Sequence, residues 1–410
     1  MAELKRTLNL SEVIFFAAGV ILGAGIYAVV GKAAGVSGNM LWLSFSISAF
    51  TAILSLFAYA ELVALYPKSG GEFSFVKEAT GLGWANAIGI MVALSGIVSS
   101  ATIAIGFAGY LGELLDFPEK IAALCIIGLL FLVNVLGIKH SSVVNIIFTI
   151  IETCGLLFVI YSAAPAIGDV NYFEMPENGI HGFLLGAAIC FFAFTGFEDA
   201  VKLSEETKDP EKNIPRALFI ASVIVIIIYL AISFVVISMI PFNELANSDS
   251  PLATVVEKRF GQTGAIIISV VALFSTSNSL LSNMLGSSRV IYNIGKENKK
   301  VKILSKVLPK RKTPIVGLAI AALIAATFSL IGKVEIVALI TNFFMFLTFM
   351  IINATVIYLR KKKPDLARPF KIPFNINNIP VMSVLAIVML LVLTGYSIYG
   401  LATGNSFGGH

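Results

Sequence analysis

Three carboxylates, Glu61, Glu152 and Glu198, lie in or at the ends of stretches otherwise apolar enough for a bilayer. A charge at the bilayer centre costs about 3 kcal/mol even on the mildest insertion scales, so such residues face a bundle interior and serve ion or substrate pathways. Glu152, in NIIFTIIETCGLLFVI (145–160), is the most informative. It sits in mid-run, and helical spacing puts Asn145 and Thr149 on its face. A carboxylate so placed can ligate a cation or carry a proton itself, because burial disfavours its charged form. Glu61 is near the end of its stretch and reads as a structural cap or an interface residue. Glu198 follows a Thr-Gly pair, Thr195-Gly196, by two residues.

Backbone chemistry is written into two other places. GVILGAGIYAVVG (19–31) carries Gly19, Gly23, Gly25 and Gly31 inside an apolar run. Each glycine costs a helix interior about 1 kcal/mol relative to alanine. Packing against a neighbouring helix explains Gly19 and Gly31 readily. The G-A-G step at 23–25 suits an unwound break better, and free backbone groups survive in a bilayer only when buried in protein or lining a polar site. The second place is CFFAFTGFEDAVKLSEE (190–206), with Thr195 and Gly196 in mid-run. A half-helix N-terminus offers N–H groups and a positive dipole to an anion, and unwound carbonyls accept from an ammonium group. Together they meet the needs of a zwitterionic amino acid.

These residues must be held by membrane helices. Of 410 residues, 57% are hydrophobic and only 13% charged, too few charges to cover a soluble protein of this size. Apolar runs of bilayer length recur along the chain, at roughly 12–35, 39–66, 82–111, 118–137, 141–165, 183–204, 214–241, 263–293, 313–332, 334–359 and 379–402. The expected fold class is therefore an all-α integral membrane protein of about 11 helices in a single domain, 1–402, followed by a tail at 403–410. Interruptions in the first and sixth runs suggest an inverted repeat, about 12–165 and 183–359, plus an extra helix at 379–402. Such paired breaks mark a midplane transporter site. With the N-terminus cytoplasmic, 24 of the 29 Lys and Arg fall on the inside, which sets that orientation and places the C-terminus outside. The net charge of +5 is explained by basic inner loops and calls for no nucleic-acid partner.

The chain resembles the amino acid–polyamine–organocation superfamily of secondary transporters, which have the leucine-transporter-type five-plus-five inverted repeat. The likeness rests on GVILGAGIY, AELVALYPKSGGEFSFVKEATG (60–81), FFAFTGFEDAVKLSEETKDPEKNIPRAL (191–218), STSNSLLSNMLGSSRVIY (275–292) and YLRKKKPDLARPFKIPF (358–374), in that order. The resemblance implies that the substrate α-carboxylate meets the N–H groups of Gly23, Ala24 and Gly25. It implies that the α-amino group meets the carbonyls of Ile21, Phe192, Ala193 and Thr195, with Phe194 as an aromatic neighbour. Glu198 then senses protons or holds the broken helix. Some proton-coupled relatives have a lysine near the position of Glu152, where sodium-coupled cousins bind their ion. Here an acid stands instead, able to ligate Na⁺ with the hydroxyls of Ser275 and Thr276 or to carry H⁺.

Enzyme classes fare badly. His140, His181 and His410 lack metal-ligand spacing, and neither a Walker loop nor a G-x-S-x-G elbow is present. The expectation is a secondary active transporter of amino acids, a permease with no cofactor, working by alternating access as a symporter with H⁺ or Na⁺. The aromatic and small residues around the breaks favour small neutral or apolar substrates. An exchanger, a cationic amino acid or polyamine transporter, and a substrate sensor on the same fold stay open, as does the oligomeric state. Serines and asparagines such as Ser95, Ser99, Ser100, Asn278, Thr341 and Asn342 read mostly as interhelical bridges.

Overall fold

A computed structural model describes residues 6–68, 70–136, 142–308 and 313–403. The tail from 404 onward lies outside the described residues, as do Lys139 and His140. Asn145 belongs to a described helix, but its side chain is not described. Fifteen α-helices run in chain order. They are α1 (Leu10–Leu22), α2 (Ala24–Ser37), α3 (Leu41–Leu65), α4 (Gly71–Thr80), α5 (Leu82–Gly112), α6 (Glu119–Leu136), α7 (Ser142–Ala163) and α8 (Ile180–Cys190), then α9 (Phe197–Val201), α10 (Pro210–Met239), α11 (Phe242–Asn247), α12 (Pro251–Glu297), α13 (Ile315–Ser329), α14 (Val334–Lys362) and α15 (Val381–Thr403). One antiparallel hairpin, Asn375–Ile376 with Ile379–Pro380, is the only sheet among the described residues.

Helix covers each of the eleven hydrophobic stretches read from the sequence. Among the described residues nine helical stretches are long and apolar enough to cross a membrane. The first of these, Leu10–Leu65, contains α1, α2 and α3, while α13 is apolar but shorter. Cys125, Cys154 and Cys190 lie in α6, α7 and α8 and are unpaired. The protein is an all-α integral membrane protein.

Local signals explain the starts and stops. Asn9 caps α1 by accepting the Glu12 N–H at 3.1 Å, and the Glu12 carboxylate accepts the Asn9 N–H at 2.8 Å. This reciprocal pair satisfies two of the donors that a helix start leaves free. Proline opens α10 and α12, where its missing N–H costs nothing. In α12, Gly261 at φ +61° bends the helix near its start.

The core gathers on the two broken segments. α1 packs between α10 and α7, α2 lies against α8 and α11, and α5 runs along α12 and α14. Of the N-terminal glycines, Gly19 faces Thr149 of α7, and Gly31 faces the Leu245 carbonyl of α11 and Pro251. The packing explanation therefore holds for those two. α15 lies on α14, α3 and α8.

Glu61 is neither a helix cap nor an interface residue. It is 1% exposed and receives Arg360 Nε at 2.9 Å and Nη2 at 2.5 Å, Arg368 Nε at 3.1 Å and the Ile372 N–H at 3.0 Å. The sequence places these partners about 300 residues away, so only the fold brings them to the end of α3. The clasp ties α3 to the end of α14 and to the segment that leads into α15.

Candidate substrate-binding site

The first break is a single residue wide. Gly23 leaves helical geometry at φ −47°, ψ −149°, while its N–H still reaches the Gly19 carbonyl at 3.1 Å. Beyond it α2 starts without a side-chain cap of its own. The first donors of α2, on Ala24 and Gly25, have no intrahelical acceptor. Ala24 N–H finds Ser279 Oγ of α12 at 3.2 Å. Behind the break the Ile21 carbonyl accepts the Tyr229 hydroxyl of α10 at 2.6 Å.

The second break is longer. α8 tightens into a 3₁₀ turn over Phe191–Phe194, Thr195 is extended, and Gly196 at φ +117° starts α9. That φ favours glycine. A Cβ there would also lie 2.8 Å from Val20 Cγ1. The Thr195 hydroxyl donates to the Phe192 carbonyl at 2.8 Å, and Gly196 N–H donates to the Glu198 carboxylate at 2.8 Å. Glu198 thus grips the turn it follows.

The two breaks meet. A Cβ on Gly25 would stand 2.6 Å from Ala193 Cα and 3.3 Å from the Phe192 carbonyl oxygen. Only a glycine lets the start of α2 approach the unwound segment this closely. A cavity opens at this junction. Of the residues expected from sequence, Ile21, Ala24, Gly25, Phe192, Thr195 and Glu198 line it. Gly23, Ala193 and Phe194 do not. Phe194 is 4% exposed and packs edge-on against Phe45 and Tyr229, with centroids 6.1 and 5.3 Å away. It stands behind the wall of the cavity.

The remaining wall is more polar than the sequence reading anticipated. Ser95 and Ser99 of α5, Asn278, Ser279, Ser282 and Asn283 of α12, and Thr341 of α14 all face the cavity. Asn283 donates to Ser99 Oγ at 2.9 Å across α12 and α5. The bridging reading holds for Ser99 and for Asn342, which donates to the Ala188 carbonyl at 2.6 Å, while Ser95, Ser99, Asn278 and Thr341 also line the cavity. Ser279 was legible only as one of many serines in STSNSLLSN, and Tyr229 carried no sequence signal at all.

From the breaks the cavity extends towards α4, where Glu72, Asp199 and Lys202 line it. Lys202 pairs with Asp199 at 2.5 Å, and the Tyr59 hydroxyl donates to Glu72 at 3.1 Å. Burial pushes the Glu72 carboxyl above the usual range, and nearby Lys202 pulls it back in part. On the opposite side hydrogen bonds tie α2 to its neighbours, and a separate pocket is lined by Lys32, Asp249 and Glu335. There Tyr110 Oη donates to the Tyr27 carbonyl at 3.3 Å and accepts the Leu252 N–H at 3.3 Å, and Lys32 Nζ reaches the Ala246 carbonyl at 2.7 Å.

Glu152, Ser275 and Thr276 lie outside the cavity lining. Glu152 is 1% exposed, and neither of its oxygens has a hydrogen-bond partner among the described residues. The Ser275 hydroxyl is the donor that comes nearest to it, and the Tyr27 hydroxyl stands close by. Thr276 spends its proton on the Ala272 carbonyl of its own helix at 2.6 Å. No cluster of three His, Cys, Asp or Glu side chains suited to a metal ion occurs among the described residues.

Comparison with known proteins gives this arrangement its context. A family model described as amino acid permease matches residues 8–407. The branched-chain amino acid permease BcaP of Bacillus subtilis (strain 168) is 29% identical over 95% of this chain and 88% of its own length. The methylthioribose transporter of the same organism is 27% identical over 94% of this chain and 87% of its own length. The vacuolar cationic amino acid transporter 4 of Arabidopsis thaliana is 27% identical over 88% of this chain, but the match spans only 64% of that longer protein. A match over nearly the whole chain, on a bundle with two facing helix breaks, is decisive. The chain belongs to the amino acid permease family, within the amino acid–polyamine–organocation superfamily, and is a transporter rather than an enzyme.

Proposed function

We propose that the chain is a secondary transporter that carries small neutral amino acids by alternating access, driven by an H⁺ or Na⁺ gradient acting at Glu152. The observation that carries this reading is the meeting of the two breaks in one cavity. The start of α2, where the Gly25 N–H stands beside the Ala24 N–H held by Ser279, suits an anion, and the Phe192 and Thr195 backbone in the same lining suits a cation. The small polar wall of serines and asparagines suits a short side chain. The cavity reaches α4, and on the other side hydrogen bonds from Tyr110 and Lys32 tie α2 to α5 and α11, which fits one end state of an alternating cycle. With the N-terminus cytoplasmic, that state is inward-facing and the C-terminus lies outside.

Glu152 supports the coupling half of the reading. A carboxylate charge in mid-membrane with no cation beside it calls for one, and the Ser275 and Tyr27 hydroxyls stand close by to face either ion. We read the paired breaks as the mark of a five-plus-five repeat, whose symmetry is what two such end states require.

A second substrate reading has its own support. Glu72, Glu198 and Asp199 outnumber Lys202 in the cavity lining, which favours a cationic side chain, and one similar protein is named for cationic amino acids. Radiolabelled uptake into proteoliposomes, with a panel of amino acids under imposed proton or sodium gradients, tests both. Accumulation of short neutral amino acids under one gradient is the expected result. Accumulation of lysine or arginine instead would replace the substrate class. Saturable binding with no flux or counterflow would replace transport by sensing.

A further inference from the structure

α2 starts at the cavity without a cap of its own sequence. Gly23 at its N-cap has no side chain, and a Cβ there would collide with Ser279 Oγ. The cap comes instead from α12, where Ser279 accepts the Ala24 N–H at 3.2 Å. Ser279 also lines the cavity, beside Gly25 and across from Phe192 and Thr195. A serine hydroxyl carries one donor and two acceptor lone pairs. Accepting from Ala24 therefore leaves its O–H free to turn into the cavity, where no helix carbonyl claims it. Thr276 and Ser288 of the same helix lack this freedom, since they donate to carbonyls of their own helix at 2.6 and 2.7 Å.

We infer that Ser279 is a carboxylate-positioning residue: its oxygen holds Ala24 N–H while its O–H donates to the substrate α-carboxylate at the start of α2. This rests on the amino acid reading above. The hydroxyl fixes the carboxylate from a second helix, so that substrate recognition ties α2 to α12. Donation to a charged acceptor is stronger than donation to a neutral one.

The test compares an amino acid with its carboxamide as inhibitors of labelled uptake, in wild-type protein and in Ser279→Ala. A hydrogen bond to a charged group is worth roughly tenfold or more in affinity, so Ser279→Ala is expected to raise KM for the amino acid about tenfold with kcat little changed. The carboxamide, which lacks the charge, is expected to lose much less, so the acid-over-amide preference of the wild type shrinks. A purely structural serine would weaken both compounds alike, and that outcome, or an unchanged preference, overturns the assignment. A wild-type protein that takes the carboxamide as readily as the acid overturns the carboxylate reading itself, whatever Ser279 does.

Discussion

Glu61 and Glu152 are equally buried, at 1% exposure each, and their surroundings could hardly differ more. Glu61 accepts from two guanidinium groups and a backbone N–H. Glu152 has no such set of donors among the described residues, with the Ser275 and Tyr27 hydroxyls for neighbours. A buried charge with a full set of donors is structural, because every partner fixes another part of the chain to it. A buried carboxyl without partners is costly to keep, so its persistence fits a group whose partner is an ion that comes and goes. Burial alone does not separate the two cases, whereas the accounting of partners does.

Breaking the clasp at Glu61 should give the largest effect. Glu61→Ala strands Arg360 and Arg368 without their carboxylate, and removing one partner of a buried ion pair costs about 3–5 kcal/mol. Melting in detergent is expected to fall sharply, with expression falling alongside. An unchanged melting temperature would break the comparison at its structural end.

Glu152→Gln sharpens the other end. With only the Ser275 hydroxyl close to the carboxyl, a contact that an amide can also make, the variant is expected to melt no lower than the wild type, while gradient-driven accumulation collapses and substrate counterflow continues. A variant that still accumulates substrate under the gradient would remove Glu152 from coupling.

Glu72 stands between these cases, buried with one hydroxyl donor and a lysine nearby. Its carboxyl is held above the ordinary value near 4.3, chiefly by burial, so the folded protein keeps a proton that the unfolded chain releases first. Its contribution to stability is therefore fully present below that ordinary value and is lost as pH rises towards the raised one. Glu72→Gln should flatten this part of the melting temperature against pH profile. A profile unchanged by the substitution would show that the half-satisfied case behaves like the paired one.

The smallest effect belongs to Glu78, whose bridge to Lys68 at 2.8 Å lies at the surface. Exposed pairs are worth about 0–1 kcal/mol, so Glu78→Gln should move the melting temperature marginally, and less still in high salt. A loss comparable to that of Glu61→Ala would show that burial is not what separates these acids.

Much of this was legible in the chain itself. Hydrophobic runs of bilayer length mark where helices must lie, because a backbone in lipid has to satisfy its own polar groups. The glycines at 23, 25 and 196 mark where those helices stop, because no other residue tolerates such a φ or so close an approach of two backbones. Ile21, Ala24, Gly25, Phe192, Thr195 and Glu198 are local to those breaks and could be named from them. Ser279 and Glu72 could not, since each reaches the cavity from a helix whose own sequence shows no interruption at that point, and nor could Tyr229, which meets the Ile21 carbonyl from α10.

The sequence by itself determined the membrane setting, the helical stretches and the two breaks, all of which depend on residues near one another in the chain. Tertiary structure decided which groups those breaks face. It put Ser279 on the Ala24 N–H, packed Phe194 behind the cavity wall, closed Arg360 and Arg368 on Glu61, and brought no cation to Glu152 among the described residues. The physical reason is range. Hydropathy and backbone geometry act over a few residues, whereas a hydrogen-bond partner 255 or 299 residues away exists only once the helices have packed.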